Sequence, residues 1–256
     1  MKINYEKEEI TMIQLIEELS MNAWPSLQTC FYDGWVLRFA DGYTKRSNSI
    51  IPVYKSTIEP EVKIEFCEKK YASQGLPTIF KLTENSNPQG LDDILECRGY
   101  QKLYETAVRL LDLTKYTSNK PKDVVIEDKF NERWINGFFQ CSGLSDPKLQ
   151  TTARHILANI RTEVICVAKT AGERIVGCGF GVVERGFVGI FDIVVARDYR
   201  RNGYGLDIMN GILTQARDLS VQTSYLQVVV GNTPAENLYT KLGYKEEYRY
   251  WYRKKN

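Results

Sequence analysis

The second half of the chain switches between two hydrophobic periods. The run "EVICVAKTAGERIVGCGFGVVERGFVGIFDIVVA" is rich in β-branched residues and is broken at Ala171-Gly172 and Arg185-Gly186, which predicts three successive strands. The period then changes. In "LDIMNGILTQARDL" apolar residues fall at Met209, Ile212, Leu213, Ala216 and Leu219, the spacing of a helix with one buried face. "SYLQVVV" reads as a further strand, "TPAENLYTKLG" as a short helix and "YKEEYRYWYRKK" as a last alternating strand, while two helical patterns, "NERWINGFFQCSG" and "PKLQTTARHILANI", come before the first of the strands. The predicted order is ααβββαβαβ, an α/β layer with helices on a mixed sheet.

The first half carries part of the same order. "LPTIFKLTENSNPQGLDDILECRGYQK" and "TSYLQVVVGNTPAENLYTKLGYKEE" share a strand, an Asn/Pro-bearing turn, a short helix and an ending in Gly-Tyr. Setting Gly99 against Gly243 places Ile94 on Leu238 and Leu95 on Tyr239. Such self-similarity predicts two copies of one fold. The stretch "LTKYTSNKPKDVV" is polar, carries Pro121 and follows the apolar run "AVRLLDL", which reads as a closing strand. The expected division is a first domain over residues 1–113, a linker over 114–123 and a second domain over 124–256.

Composition narrows the chemistry. A chain of 256 residues can hold one large domain or two ordinary ones. The net charge of +2 is unevenly spread: residues 1–120 hold 15 Lys and Arg against 17 Asp and Glu, and residues 121–256 hold 19 against 15. That surplus helps draw in an anionic ligand but is too mild for a nucleic-acid surface, so no nucleic-acid partner is expected. Cys30, Cys67, Cys97, Cys141, Cys166 and Cys178 show neither C-x-x-C pairing nor the close spacing of a zinc site, which points to reduced thiols and no metal. "MKINYEKEEITMIQLIEEL" is too acidic and too interrupted for a signal peptide, and no run of about 18 apolar residues occurs. A cytoplasmic protein with no membrane partner is expected. The single histidine, His155, lies in a helical pattern far from any nucleophile elbow, so the chemistry has to work without histidine.

At the junction of strand and helix stands "RRNGYG", residues 200–205. Amides at a helix start have no intrahelical acceptor, and the helix dipole adds about half a positive charge there. Gly203 and Gly205 let the main chain approach an anion closely, and Arg200 and Arg201 add charge. A pyrophosphate fits that description. "IVVARDYRRNGYGLDIM" resembles motif A of the GNAT superfamily of N-acetyltransferases, Q/R-x-x-G-x-G/A after a strand, and "NTPAENLYTKLGY" resembles its companion segment, N-x-x-A-x-x-L-Y-x-x-x-G-F/Y. Both stand in the family's order, and the likeness covers about residues 124–256. It implies an α/β fold of the α+β type, with two GNAT-like domains, each a mixed β-sheet flanked by helices.

The resemblance also implies roles. The donor would be acetyl-CoA, its pyrophosphate on Arg200, Arg201, Asn202, Gly203, Tyr204, Gly205 and Leu206. Its pantetheine arm would lie along the backbone of Ile193, Val194 and Val195, on a strand that in this family splays from its neighbour at a bulge. Asn232 matches a position whose amide meets the donor, or it shapes a turn; Tyr239 matches the family's tyrosine that protonates the departing thiolate, or it is a core aromatic on the helix face. An amine must be neutral to attack a thioester, so some base or water chain must take its proton. Where protein-acetylating relatives carry a catalytic glutamate, five residues before Asn232, this chain has Gln227, which cannot serve as a base. Asp192 and Glu184 are the nearest acidic alternatives, although strand alternation turns Asp192 away from the substrate and Glu184 reads as a turn residue.

In the first half Glu59-Pro60-Glu61 stands where a phosphate loop would, and Leu95 replaces the tyrosine. Acidic side chains there repel a pyrophosphate. This half therefore reads as a degenerate copy that completes the acceptor cleft, with Trp35, Arg38, Arg46 and Asn48 either contacting substrate or pairing strands. The expected function is acetyl transfer by direct attack of a primary amine of a small-molecule or peptide acceptor. A non-catalytic acyl-CoA-binding sensor is the alternative, and Tyr239 argues against it. A nucleotide-phosphate enzyme is disfavoured because no G-x-x-x-x-G-K-[ST] loop occurs. The sequence names neither the acceptor nor an oligomeric state.

Overall fold

A computed structural model of the chain describes residues 10–117 and 121–255. Residues 118–120 of the expected linker, and 1–9 of the N-terminal segment read above, lie outside the described residues. In the first half helix α1 (Met12–Ala23) leads into strands β1 (Gln28–Tyr32), β2 (Trp35–Phe39) and β3 (Ile50–Ile51). Helix α2 (Pro60–Ala72), strand β4 (Thr78–Thr83), helix α3 (Leu91–Cys97) and strand β5 (Gln101–Asp112) follow. The second half opens with β6 (Val124–Glu127), α4 (Glu132–Ser142) and α5 (Pro147–Ala158). It continues through β7 (Glu163–Ala171), β8 (Arg174–Glu184), β9 (Phe187–Val195), α6 (Tyr204–Asp218), β10 (Thr223–Val229), α7 (Thr233–Lys241) and β11 (Lys245–Lys255).

The helices and strands of the second half form where the periodicity predicts them, with one addition. β6 is absent from the predicted order because its four partly exposed residues begin inside a stretch that reads as polar linker. It gains its strand geometry from pairing with β7, Val124 facing Lys169. Short edge strands of this kind carry little local signal.

All the described strands join one sheet in the order β1-β2-β3-β4-β11-β5-β10-β9-β8-β7-β6. The pairing repeats. In the first half β1/β2 and β2/β3 are antiparallel and β3/β4 is parallel, Ile50 opposite Phe80. In the second, β7/β8 and β8/β9 are antiparallel and β9/β10 is parallel, from Thr223 opposite Phe187 to Leu226 opposite Ile190. The closing strands, however, are exchanged: β5 lies antiparallel beside β10, β11 lies antiparallel beside β4, and the two pair with each other at the centre of the sheet. The helix ends repeat as well. Gly99 and Gly243 both take left-handed φ values, 84° and 93°. Tyr100 N donates to Leu95 O and Tyr244 N to Tyr239 O, each at 3.0 Å, so the register that sets Leu95 on Tyr239 holds in space.

Two layers cover the sheet of the second half. On one face α6 lays Ile208, Met209, Ile212 and Leu213, all fully buried, against β7–β9. A Cβ on Gly179 would come within 2.3 Å of Ile193 Cδ1 and 3.2 Å of Ile208 Cγ2, so the bare position lets these two side chains pack close over β8. On the other face α1, α4 and α5 pack Ile16, Trp134, Phe138 and Ile156 against Phe180, Phe191 and Tyr225. A hydrogen bond to a buried ion pair of the first half ties the halves together: Lys81 Nζ on β4 meets Glu17 of α1 at 2.6 Å, both at most 4% exposed, and Tyr248 of β11 donates to the same carboxylate at 2.8 Å. No helix among the described residues is long and apolar enough to cross a membrane.

Candidate active site

After Val195 the chain makes a 3-10 turn over Arg197–Tyr199 and enters α6 through Gly203, its N-cap, at φ 78°. Arg201 also takes a left-handed φ of 63°. Consecutive turns of this kind aim main-chain amides into one concavity. Among the described residues, none of the amides from 201 to 205 donates a hydrogen bond to another main-chain group, and no side chain caps α6. Leu206 N already bonds Gly203 O at 2.9 Å and belongs to the helix itself. Asn202 shapes the loop by donating its side-chain amide to the carbonyls of Tyr199 and Arg200, both at 3.3 Å. Arg200 folds back, its Nε on Val195 O at 3.1 Å, while Arg201 is exposed. The first-turn acid of α6, Asp207, is held by buried Lys169 at 2.9 Å, whose ammonium also lies over the Tyr204 ring. The helix start therefore faces solvent as a set of donors with a cationic rim.

Next to this loop the sheet opens. Pairing of β9 with β10 stops at Ile190 and Leu226. Against β8, Phe191 faces Phe180 and Val194 faces Cys178, so Asp192 and Ile193 together oppose Gly179 alone. That is a bulge, with Asp192 at φ 50°. It resets the alternation: Ile190 and Ile193 both pack toward α6, and Phe191 and Val194 both pack toward α1. Ile193, Val194 and Val195 then run along the open edge, where main-chain groups have no partner from β10. α7 borders the gap from the other side. Asn232 stands exposed at its N-terminus with no hydrogen bond from its side chain to any described residue. Tyr239 is 9% exposed, edge-on to Tyr244 with ring centroids 6.0 Å apart. Burial, and then the charge of Asp192, push the Tyr239 phenol up to about 12, so it stays protonated through the neutral range.

A cleft of about 650 Å³ passes through the opening, with Tyr239 and Asn232 toward α7 and Arg46, Tyr250 and Tyr252 toward the first half. The bulge delivers Asp192 into this cleft, against the expectation from unbroken alternation. Its Oδ1 accepts from Arg46 Nη2 at 2.9 Å. The Arg46 guanidinium lies over Trp24, its carbon 4.4 Å from the ring centroid. Gln227 also lines the cleft, but its amide is committed to Ser20 Oγ and the Tyr250 hydroxyl at 2.9 and 3.0 Å. Glu184 is elsewhere: it accepts from Asn22 at the β8–β9 turn and does not line the cleft.

The first-half patch divides. Trp35 is fully buried and donates to Asn87 O. Asn48 bonds Ala40 and Gly42 amides and the Thr44 carbonyl, and Arg38 donates to the carbonyls of Met21, Trp24 and Arg46. These three do not line the cleft; Arg38 and Asn48 hold the loop that presents Arg46, the one member of the patch lining it.

In the first half the loop between β3 and α2 is the counterpart of the loop before α6, and its donors are already taken. The Asp33 carboxylate accepts from Thr57 N, Ile58 N and Thr57 Oγ1 at 2.8–3.1 Å and meets the buried Lys63 ammonium at 3.2 Å. Hydrogen bonds from the Ile58 amide first hold its pKa down at about 2. Together with Glu59 and Glu61 at the helix start, this leaves no room for a second anion. The unfolded carboxyl titrates near ~3.9, so the stabilisation is fully present above that pH and is lost as pH falls through about 2. Asp33→Asn should lower the urea midpoint at pH 7, and the gap from wild type should narrow as pH drops toward 2. A gap independent of pH would contradict the role given to the carboxylate.

Comparisons with known proteins agree with this geometry. The family model described as "Probable histone acetyltransferase Rv0428c C-terminal" matches residues 11–253. A Bacillus subtilis (strain 168) protein named as an uncharacterized N-acetyltransferase, YobR, is 30% identical over 94% of this chain and 98% of its own length. Among solved structures, a GCN5-related N-acetyltransferase from Kribbella flavida superposes with a TM-score of 0.71 at 14% identity, covering 96% of each chain. A tandem GNAT protein from the clavulanic acid biosynthesis pathway gives 0.66 at 11% identity, over 94% of this chain and 87% of its own. The chain belongs to the Rv0428c C-terminal family and is an N-acetyltransferase of the GNAT superfamily.

Proposed function

We propose that the second half, residues 124–256, transfers acetyl from acetyl-CoA to a primary amine of a small-molecule or peptide acceptor, and that residues 1–113 form a non-catalytic copy closing the acceptor side. The observation that carries this is the bulged, splayed pair β9/β10 directly beside a loop of unpaired amides. The loop at 201–205 holds the pyrophosphate, with Arg200 and Arg201 adding charge. The open edge of Ile193, Val194 and Val195 holds the pantetheine arm, and Asn232 adds a side-chain contact. As the amine's N–C bond forms and the C–S bond breaks, the amine's proton passes to Asp192, the one carboxylate among the described residues lining the cleft. Tyr239 donates its hydroxyl proton toward the departing thiolate. Both residues exchange protons with solvent before the next cycle.

Reversing charge at Arg200 and Arg201 together should weaken acetyl-CoA binding about 10- to 100-fold, the worth of one or two charge-assisted hydrogen bonds. Calorimetric titration of both proteins checks this, and unchanged affinity would remove the loop from the binding site. The effect should shrink with added salt, because both side chains are exposed.

A further inference from the structure

The charges lining the cleft do not suit every amine. Among the described residues they are Lys45, Arg46 and Asp192, two cations against one anion. Lys45 rests over the Tyr104 ring at 5.3 Å and has no carboxylate partner among the described residues. The guanidinium of Arg46 lies against both Trp24 and Phe191, its carbon 4.4 and 5.8 Å from the centroids of two rings that stack on each other 6.5 Å apart. Its Nη2 bonds Asp192, and none of its other N–H groups has a partner among the described residues. Contact with the two rings restrains the fork at the cleft, and its unused donors can meet a planar acceptor pairwise. The pair is also partly out of water, with 27% and 17% of the two side chains exposed. A cation and an anion held side by side at the mouth of an amine site match a ligand that carries both charges. Such a ligand replaces one ion pair by two without stranding either side chain.

Resting on the acetyl-transfer reading above, we propose that the acceptor is an amine that also bears a carboxylate, a free amino acid or a close analogue, with its carboxylate on Arg46 and its ammonium on Asp192. A polyamine meets a lining with a net positive charge and leaves Arg46 unanswered. An amide or ester of the same amino acid keeps the ammonium and loses the fork. The aromatic wall of Tyr43, Tyr104, Tyr250 and Tyr252 leaves space for a side chain with an apolar body and a polar tip.

The test is release of coenzyme A by the full chain with four groups of amines: free L-amino acids, the same compounds as C-terminal amides, spermidine, and phosphoethanolamine. The expected result is that at least one free amino acid exceeds its amide about 10- to 100-fold in kcat/KM, mainly through KM. In Arg46→Gln that preference should collapse to within a few-fold, and Arg46→Lys should restore part of it. Acetyl-CoA binding by each variant, followed by calorimetry, verifies a folded donor site. A preference for amides, spermidine or phosphoethanolamine would overturn the proposal, as would a panel in which no free amino acid is acetylated or an Arg46→Gln variant that loses acids and amides equally. Failure of the wild type to bind acetyl-CoA would instead overturn the reading beneath it.

Discussion

Tyr239→Phe should lower kcat by about 10²-fold while leaving acetyl-CoA affinity nearly unchanged. The substitution keeps the ring that packs edge-on against Tyr244 and removes only the hydroxyl of this cleft-lining residue. General-acid help ranges over about 10²–10⁴, and two facts place this case at the low end. A thiolate whose conjugate acid titrates near ~8.5 leaves tolerably well unaided. The phenol at about 12 is a weaker acid than that thiol, so it assists chiefly by hydrogen bonding as charge builds on sulfur. Steady-state kinetics with one acceptor, alongside direct binding of acetyl-CoA, measures both quantities. A variant with full kcat would return Tyr239 to the role of a packing residue.

The second large effect concerns the exchange of closing strands. Cut between the halves, neither piece keeps its sheet: residues 121–256 lose β5, the antiparallel partner of β10, and β11 loses both β4 and β5. The same cut takes Glu17 and Lys81 away from Tyr248 and leaves Tyr250 and Tyr252 facing water. Unpaired strands with an apolar face associate rather than stay solvated. Each piece made alone should therefore aggregate or self-associate, while the two made together should co-purify as one folded unit, as judged by size-exclusion chromatography and circular dichroism. A monomeric, cooperatively folding 121–256 piece would show that β11 can take the place of β5 beside β10.

Much of the site is legible in local sequence because its signals are local. Gly203 and Gly205 sit where strand period gives way to helix period, and Tyr239 is fixed by its distance from Gly243, whose left-handed turn ends α7. The features that escape local reading are joined across long separations. Arg46 and Asp192 stand 146 residues apart, and nothing near either one announces the other. Asp192 also reaches the cleft only because a bulge breaks the alternation that a period-two reading assumes. Asp33 meets the Thr57 amide 24 residues away, so its occupation of the first half's loop is invisible, although Glu59 and Glu61 already argue against an anion there. The strand exchange is hidden for a different reason. β5 and β11 have the same place in each copy, and either would satisfy the edge of β4 or β10 by pattern alone.

The central claim, that acetyl-CoA is held by the second half alone through the amides before α6, is tested most directly by amide chemical-shift mapping of the labelled chain titrated with acetyl-CoA. The account predicts large shifts at residues 201 to 205 and along Ile193, Val194 and Val195, with Thr57 and Ile58 unmoved because Asp33 already holds them. Shifts centred on Thr57 and Ile58, or a saturating titration that leaves 201 to 205 unchanged, would contradict it.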